Sequence, residues 1–298
     1  MLLSGKVAVV TGSGLGLGRA YAIALAKAGA KVVVNSRTAG DVASVVDEIR
    51  HDGGDAEGCV ANVATGHGAH RIIQTAIDKF QRVDILVNNA GILIQQNLLD
   101  VTEQDFDEVI AINLKGQFLC TKEAAPHMIR HKWGCIINMS SRSAQGMPRG
   151  GISYSASKAG TIGLSISCAL ELAEYGITCN AIRASALTRI TQGLAERARQ
   201  EALAVGSQPR FGPGWQLPPE AASPLVVFLS SDQGHWITGQ FIGIDGTELT
   251  LYSSFRPVSV AFIPGGWTVE LLLEHFKTTL GKQIEDYGPV DVKGERTM

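Results

Sequence analysis

Short runs rich in β-branched residues alternate along the chain with longer stretches of helical periodicity, and this alternation limits the fold more than any other feature. Val42, Val45, Val46 and Ile49 recur on one helix face, and an alanine-rich helix over residues 19–28 ends before Gly29. Strands joined by such helices run parallel. The sequence therefore predicts a doubly wound α/β fold, with helices on both faces of a parallel sheet of about seven strands. Six strands are predicted at residues 6–11, 31–35, 83–88, 135–139, 178–183 and 241–245.

The charge balance gives no sign of a polyanionic partner. Lys and Arg total 26 against 28 for Asp and Glu, and no window approaches the roughly 20 apolar residues of a membrane span. We therefore expect a small-molecule ligand, no nucleic acid, no membrane and, without a signal-peptide pattern, a cytoplasmic location. Five cysteines without a CxxC pair are expected in the core, and no metal site is predicted.

A glycine-rich segment, TGSGLGLGRA, follows the first predicted strand. Gly12, Gly16 and Gly18 have the spacing G-x-x-x-G-x-G and precede a helix. Glycines there let the backbone approach a pyrophosphate at a helix N-terminus, where free N–H groups and the helix dipole favour anions. The segment predicts a nucleotide-binding turn.

Two later motifs add polar groups at strand ends. Asn89 and Gly91 belong to an NNAG segment that closes the strand predicted at residues 83–88, at the edge where open α/β sheets bind ligands. Tyr154 is followed four residues later by Lys158, one helical turn away on the same face. Ser141 lies just past an apolar strand, so these three side chains are candidates for one site.

Together with Asn113 in the segment INLKG, these motifs resemble the short-chain dehydrogenase/reductase family in order and spacing, from about residue 4 to residue 247. The resemblance implies a Rossmann fold, hydride transfer between a nicotinamide and a ketone or secondary alcohol, and a homotetramer or homodimer. The segments GLGRAYA and TRIT (residues 188–191) are similar to the branch that contains the dehydrogenase part of the peroxisomal multifunctional β-oxidation enzyme and its bacterial relatives.

The resemblance also implies roles for individual residues. Tyr154 would be the general acid/base, Ser141 would hydrogen-bond the substrate oxygen, and Lys158 would bind the nicotinamide ribose. Asn113 would hold a proton-relay water. The implied cofactor contacts are Gly12, Ser13, Leu15, Gly16, Leu17, Gly18, Ser36, Arg37, Asn62, Val63, Asn89, Ala90, Gly91, Tyr154, Lys158 and Leu187.

The pairing of Tyr154 with Lys158 has a physical rationale. A free tyrosine has a pKa near 10, so proton transfer near neutrality would need a depression of about three units, or roughly 4 kcal/mol. One ammonium at about 4 Å in an effective dielectric near 20 supplies roughly that energy. We therefore expect Lys158 to lower the pKa of Tyr154.

Two positions depart from the family pattern. Asn62 stands where the family often has an aspartate beside the adenine, although its amide can still hydrogen-bond. Ala184-Ser185 replaces the usual Pro-Gly after the sixth strand, which puts the cofactor contact near Leu187 in doubt.

The chain also continues beyond the family pattern. We expect a Rossmann-fold catalytic and cofactor-binding domain at residues 1–247, followed by an extension at residues 248–298 that packs on it or on a neighbouring subunit. The extension contains Phe255, Phe262 and Trp267 and an amphipathic run over residues 269–276. A stretch rich in Pro and Gly, residues 207–219, is expected to form an active-site flap.

The end of the second strand favours NADP(H) as cofactor. An NAD enzyme needs an acid there for the ribose hydroxyls, but this chain has Ser36 followed by Arg37, whose guanidinium suits a 2′-phosphate. NADP(H) is therefore expected as the preferred cofactor, with NAD(H) possible.

Three functions remain open from the sequence. The first is an NADPH-dependent ketoreductase, whose substrate could be a 3-oxoacyl thioester, a steroid or a simpler cyclic or aromatic ketone. The second is an NAD-dependent 3-hydroxyacyl-CoA or hydroxysteroid dehydrogenase. The third is a catalytically silent protein that senses nucleotides. The presence of Ser141, Tyr154 and Lys158 favours an enzyme.

Overall fold

A computed structural model of the chain describes residues 1–147, 150–204, 217–253 and 257–283. The strands in these ranges are β1 (Val7–Val10), β2 (Lys31–Ser36), β3 (Ala56–Val60), β4 (Ile85–Asn88), β5 (Gly134–Met139), β6 (Ile177–Ala184), β7 (Phe241–Asp245) and β8 (Glu248–Tyr252). They form one sheet in the order β3-β2-β1-β4-β5-β6-β7-β8. The first seven pair in parallel and β8 pairs antiparallel with β7, which confirms the predicted α/β class.

Helices cover both faces of the sheet. They are α1 (Gly16–Lys27), α2 (Ala39–His51), α3 (Gly66–Phe80), α4 (Glu103–Ile110), α5 (Gly116–His131), α6 (Ile152–Leu172), α7 (Arg189–Ala204), α8 (Ser223–Leu229) and α9 (Val269–His275). A π-helical segment, Ala111–Lys115, joins α4 to α5. The two predicted helices, at residues 19–28 and around Val42, are confirmed as α1 and α2 within a boundary shift of a few residues.

Strands β1, β4, β5 and β7 are buried along their whole length, which explains their largely apolar sequences. Ala8 and Val10 pack in a core with residues of α1, α2 and α8, whereas Val7 and Val9 pack in a second core with residues of α3, α5 and α6. Strand order reverses between β1 and β4, so the chain leaves these two strands in opposite directions. A crevice opens there at the carboxyl edge of the sheet, as is general for doubly wound folds.

Two strands were not located from the sequence. In β3, Glu57 and Gly58 interrupt the apolar run; a Cβ at Gly58 would lie 2.7 Å from Val42 Cγ1, so glycine permits α2 to pack closely. β8 lies at the start of the expected extension and forms a hairpin with β7 through Gly246, whose φ is +62°. Residues 248–252 therefore belong to the sheet.

Beyond β8 the described part of the extension is largely exposed. α9 agrees with the amphipathic run predicted at residues 269–276. Val258, Phe262 and Leu273 expose more than four-fifths of their surface in the single chain. Most of the predicted flap, residues 207–219, and Phe255 lie outside the described residues.

The remaining expectations concern cysteines, metals and membranes. All five cysteines are free and four are buried. No cluster of three or more His, Cys, Asp or Glu side chains suited to a metal occurs in the described residues. None of the helices described is both long enough and apolar enough to cross a membrane.

Asp84 ties the amino ends of β1 and β4 together. Its carboxylate is fully buried, accepts a hydrogen bond from Val7 N at 2.8 Å, and accepts two from Arg82 at 2.6 and 2.8 Å.

We expect Asp84→Ala to lower the free energy of unfolding by about 3 kcal/mol, because a buried N–H and a guanidinium lose their acceptor. Urea denaturation measures this loss. Asp78→Ala, an exposed change on α3, is the control and should cost below about 0.5 kcal/mol; equal losses would contradict the assigned role of Asp84.

Candidate active site

The glycine turn between β1 and α1 can only be built from glycine. Gly12 and Gly16 have positive φ values of 61° and 56°. A Cβ at Gly12 would lie 2.7 Å from Ala90 Cα, and one at Gly18 would lie 2.3 Å from the carbonyl oxygen of Gly12. The turn therefore presses against the end of β4 and leaves the N-terminus of α1 open to the cleft.

Side chains directly after the ends of β1 and β4 hold this turn in position by hydrogen bonds. Asn89 Nδ2 donates to the carbonyl oxygens of Thr11 at 3.1 Å and Gly12 at 2.9 Å. In return, Thr11 Oγ1 accepts hydrogen bonds from the backbone N–H groups of Asn89 at 3.0 Å and Ala90 at 3.1 Å. We call these four reciprocal bonds the Thr11–Asn89 clamp. It gives Asn89 a structural role in shaping the cofactor site.

A cleft of about 500 Å³ opens beside the turn, within the usual range for ligand sites. It runs from the end of β2, past the glycine turn, to the N-terminal part of α6. The residues predicted for cofactor binding or catalysis that line it are Gly12, Leu15, Gly16, Leu17, Gly18, Ser36, Arg37, Asn62, Val63, Asn89, Ala90, Gly91, Ser141, Tyr154 and Lys158.

Two predicted cofactor contacts lie away from this lining. Ser13 is fully buried, and its hydroxyl donates to Val10 O at 2.6 Å and accepts from Asn35 N at 2.9 Å. It fastens the turn to β2 because its side chain points into the core. Leu187 is half-exposed and its N–H donates to Leu217 O at 2.8 Å. The neighbouring Ala184 and Thr188 line the cleft instead.

Several lining residues were not predicted from the sequence, of which Asp41 is the most consequential. It is half-buried in the first turn of α2, and a Cβ built on Gly14 would lie 2.7 Å from Asp41 Cβ and 3.1 Å from Ser36 Cβ. The cleft thus holds an acid although β2 does not end in one. In the sequence, Asp41 stands four residues after Arg37. This spacing was its only signal, because the position of Asp41 in the cleft depends on how the chain turns from β2 into α2. The other unpredicted lining residues are Gly14, Asn35, Ala61, Ile92, Ile112, Met139, Ser140, Ala184 and Thr188.

Asn113 lies behind the cleft wall, in the π-helical segment. Its Oδ1 accepts from Ile92 N at 2.8 Å, and its Nδ2 donates to Ile92 O at 2.9 Å and to Ser157 Oγ at 3.2 Å. Ser157 Oγ donates in turn to Tyr154 O at 2.7 Å. Asn113 therefore connects the chain after β4 to the helix that carries Tyr154.

Lys158 and Tyr154 stand one helical turn apart at the inner end of the cleft. Lys158 Nζ donates to Met139 O at 2.7 Å and lies 5.5 Å from the centre of the Tyr154 ring. Burial lowers the pKa of Lys158 to about 8, because the ammonium loses hydration.

Burial also acts on Tyr154, and it raises the pKa of the hydroxyl, against the smaller lowering effect of a hydrogen bond with Ser141. The expectation that Lys158 lowers the pKa of Tyr154 is therefore wrong for the chain taken alone. Desolvation of the phenolate outweighs the Ser141 hydrogen bond, and the Lys158 ammonium, which is itself less readily charged when buried, does not offset it.

A doubly wound sheet with a glycine turn at one end of its crevice and a serine, tyrosine and lysine at the other defines a nucleotide-dependent oxidoreductase. Residues 6–202 match the family described as short chain dehydrogenase. The chain belongs to this family and is an NAD(P)-dependent oxidoreductase that acts on CH–OH groups.

Curated relatives with similar sequences include bacterial 3-oxoacyl-[acyl-carrier-protein] reductases. That of Thermotoga maritima is 38% identical over 83% of this chain and 98% of its own length. That of Staphylococcus aureus (strain Mu50) is 40% identical over 81% and 97%, and that of a Synechocystis species 41% over 82% and 97%. These reductases do not bear out the narrower resemblance to the multifunctional β-oxidation branch, which stays a prediction.

Solved structures give the same fold. A short chain dehydrogenase from Mycobacterium avium has a TM-score of 0.80 and 34% identity, covering 95% of this chain and 96% of its own. A putative gluconate dehydrogenase from Agrobacterium tumefaciens has a TM-score of 0.74 and 34% identity, covering 82% and 96%. The Mycobacterium avium protein matches a larger share of this chain than the reductases do.

The lowered pKa of Lys158 makes stability depend on pH. Between pH 8 and pH 10.5 the unfolded lysine binds a proton that the folded one does not, so the free energy of unfolding should rise through this window. We expect the rise due to Lys158 to be on the order of 3 kcal/mol. Urea denaturation of the wild type and of Lys158→Met at about pH 7 and about pH 10 isolates it, because other titrating groups are common to both. Parallel changes in the two proteins would show that Lys158 is not desolvated.

Proposed function

We propose that the protein is an NADPH-dependent ketoreductase. The observation that carries this proposal is the convergence of Ser141, Tyr154 and Lys158 on the cleft that begins at the glycine turn. Similarity to 3-oxoacyl-[acyl-carrier-protein] reductases supports reduction as the direction and makes a 3-oxoacyl thioester the first substrate to test.

The dinucleotide fits the residues present. The glycine turn leaves no room for a Cβ at Gly12 or Gly18, which brings its backbone N–H groups to the cleft wall, and α1 starts there without an acid in its first turn. These groups would hold the pyrophosphate, and Lys158 would hold the nicotinamide ribose. When bound, the reduced cofactor supplies the hydride.

The chain's own residues handle the proton. Tyr154 donates its phenolic proton to the ketone oxygen, and the Ser141 hydroxyl donates a hydrogen bond to the same oxygen as negative charge develops. Tyr154 is protonated at neutral pH, which is the form that ketone reduction requires, although its raised pKa makes the hydroxyl a weaker acid than a free tyrosine. Lys158 stabilises the phenolate after transfer. Asn113 holds a relay water and fixes the end of β4 relative to α6.

Arg37 and Asp41 set the cofactor preference in opposite directions. Arg37 is exposed at the cleft edge, where its guanidinium would bind a 2′-phosphate. Asp41 lines the same end of the cleft and would repel that phosphate or accept hydrogen bonds from a ribose hydroxyl. We propose that Arg37 prevails, so that NADP(H) is preferred and NAD(H) can still be used.

We also propose that the protein is a cytoplasmic homotetramer or homodimer built on the domain predicted at residues 1–247, whose sheet is completed by β8 from the start of the extension. The extension at residues 248–298 packs on that domain or on a neighbouring subunit. The exposed side chains of Val258, Phe262 and Leu273 support this, because apolar surface of that extent is usually covered in an assembly.

Tyr154→Phe tests the chemistry. It removes only the proton donor, so we expect a fall in kcat of at least about a hundredfold, with NADPH affinity within about twofold of the wild type. Steady-state reduction of a panel of ketones that includes a 3-oxoacyl thioester, together with NADPH fluorescence titration, measures both. Tyr175→Phe, at a half-buried position between α6 and β6 that lies outside the cleft lining, is the matched control. Wild-type turnover in Tyr154→Phe would exclude the proposed mechanism.

The cofactor preference is tested by exchanging its determinants. We expect NADPH to exceed NADH in kcat/KM by about tenfold, because one charge-assisted contact from Arg37 contributes roughly 1.5 kcal/mol or more. Ser36→Asp with Arg37→Leu should reverse the preference, and Asp41→Asn should strengthen it. Dissociation constants for NADP⁺ and NAD⁺ should change in parallel. An equal or better use of NADH by the wild type would show that Arg37 does not bind the phosphate.

A further inference from the structure

A cluster of buried charges lies at the carboxyl ends of β6 and β7. Asp245 is fully buried, and its Oδ2 accepts hydrogen bonds from Arg183 Nη1 and, at 3.4 Å, from Arg142 Nη2. Arg183 is only 3% exposed and donates through Nη2 to Glu248 Oε1 at 3.3 Å. We call Arg142, Arg183, Asp245 and Glu248 the Asp245 cluster. It joins four segments: the chain after β5, the end of β6, the end of β7 and the start of β8.

The cluster reaches the active site through Arg142, which directly follows Ser141. Residues 142–145 form one turn of 3₁₀-helix that Ser141 caps, because Ser141 Oγ accepts from Ser143 N at 3.2 Å and Ser141 O accepts from Ala144 N at 3.1 Å. This turn packs against α6, the helix that carries Tyr154. The ion pair from Arg142 to Asp245 is a charged side-chain link between this turn and the sheet that lies beneath it, beside the apolar packing of Ala144 against the cluster that includes Ala181 and Phe241.

The charges of the cluster are not equally needed for folding. Arg183 is neutralised in the core by Asp245 and Glu248 and also lies 5.6 Å from the centre of the Tyr252 ring. Removing Arg183 or Asp245, the two buried members, would leave the charge of the other uncompensated in the core. Arg142 is 55% exposed, and its loss would leave Asp245 paired with Arg183. The link from Arg142 can therefore be cut with little cost to stability.

We propose that Asp245 is a positioning residue for the reaction: it holds Arg142 and thereby fixes the hydroxyl of Ser141 against the substrate oxygen. This rests on the proposed role of Ser141. Tyr154 and Lys158 are both carried by the long helix α6. Ser141, in contrast, lies at the start of a short turn and needs an anchor of its own. Asp245 supplies it from the buried end of β7.

The central variant is Arg142→Gln. We expect kcat/KM for ketone reduction to fall about fivefold, mainly through kcat, because a displaced Ser141 weakens an interaction made in the transition state. The dissociation constant of NADP⁺ should stay within about twofold and Tm within about 2 °C. Arg142→Lys should recover most of the loss. Asp245→Asn, which keeps the shape of the side chain, should lower kcat/KM in the same way.

A double-mutant cycle with Ser141→Ala tests the route of the effect. If Asp245 and Arg142 act through Ser141, then Arg142→Gln should change kcat/KM by less than about twofold once Ser141 is alanine. Full additivity of the two changes would overturn the proposal, because Arg142 would then act on the substrate directly. An unchanged kcat/KM in the single variant Arg142→Gln would overturn it as well.

The control is Arg82→Gln at the opposite edge of the sheet, where a partly exposed arginine again pairs with a fully buried aspartate. It should lower Tm and leave kcat/KM unchanged. A kinetic loss in Arg82→Gln equal to that in Arg142→Gln would mean that both reflect stability alone, against the proposal. Failure of Ser141→Ala to lower activity would refute the role of Ser141 under the proposed function, which the Tyr154→Phe result tests separately.

Discussion

The Thr11–Asn89 clamp is the interaction on which the site depends most. Parallel pairing alone sets β1 beside β4, but the strands end there and no backbone ladder continues into the crevice. The clamp replaces that ladder with side-chain hydrogen bonds, and it holds the glycine turn within contact distance of Ala90. The space for a pyrophosphate and the direction of α1 both follow from this closure. The closely spaced glycines are therefore needed for the packing of the turn against β4, and not only for binding a ligand.

Desolvation governs the electrostatics at the other end of the cleft. It favours the neutral form of both titrating groups, lowering the pKa of Lys158 and raising that of Tyr154. In the proposed reaction this leaves Tyr154 protonated at neutral pH but a weaker acid than a free tyrosine. The same burial makes the phenolate that remains after transfer costly, so the lysine matters most after the proton has left. Simple Coulomb attraction, considered without burial, gives the wrong sign for the resting tyrosine.

The sequence predicted those parts of the structure whose signal is local. Six strands stood out because both of their faces are apolar, and Tyr154 and Lys158 stood out because a helix fixes their spacing. β3 was not located because Gly58 is dictated by α2, which is distant in sequence. The inward direction of the Ser13 side chain and the place of Asp41 in the cleft were not foreseen for a similar reason: whether a polar residue near a turn points inward or into the cleft depends on β2 and α2 packing around it. The Asp245 cluster joins residues up to 103 positions apart and has no pattern along the chain.

The π-helical segment between α4 and α5 constrains how many residues this stretch of the chain can contain. Its wider turn lets Asn113 bridge to Ile92 while α5 keeps Cys120, Ala124 and Met128 in the core. A substitution here alters one side chain, but loss of a single residue would restore regular winding and rotate the whole of α5 by about 100° relative to α4. Either the asparagine or the apolar stripe would then face the wrong way. Across this stretch the number of residues is therefore more tightly constrained than the identity of most of them.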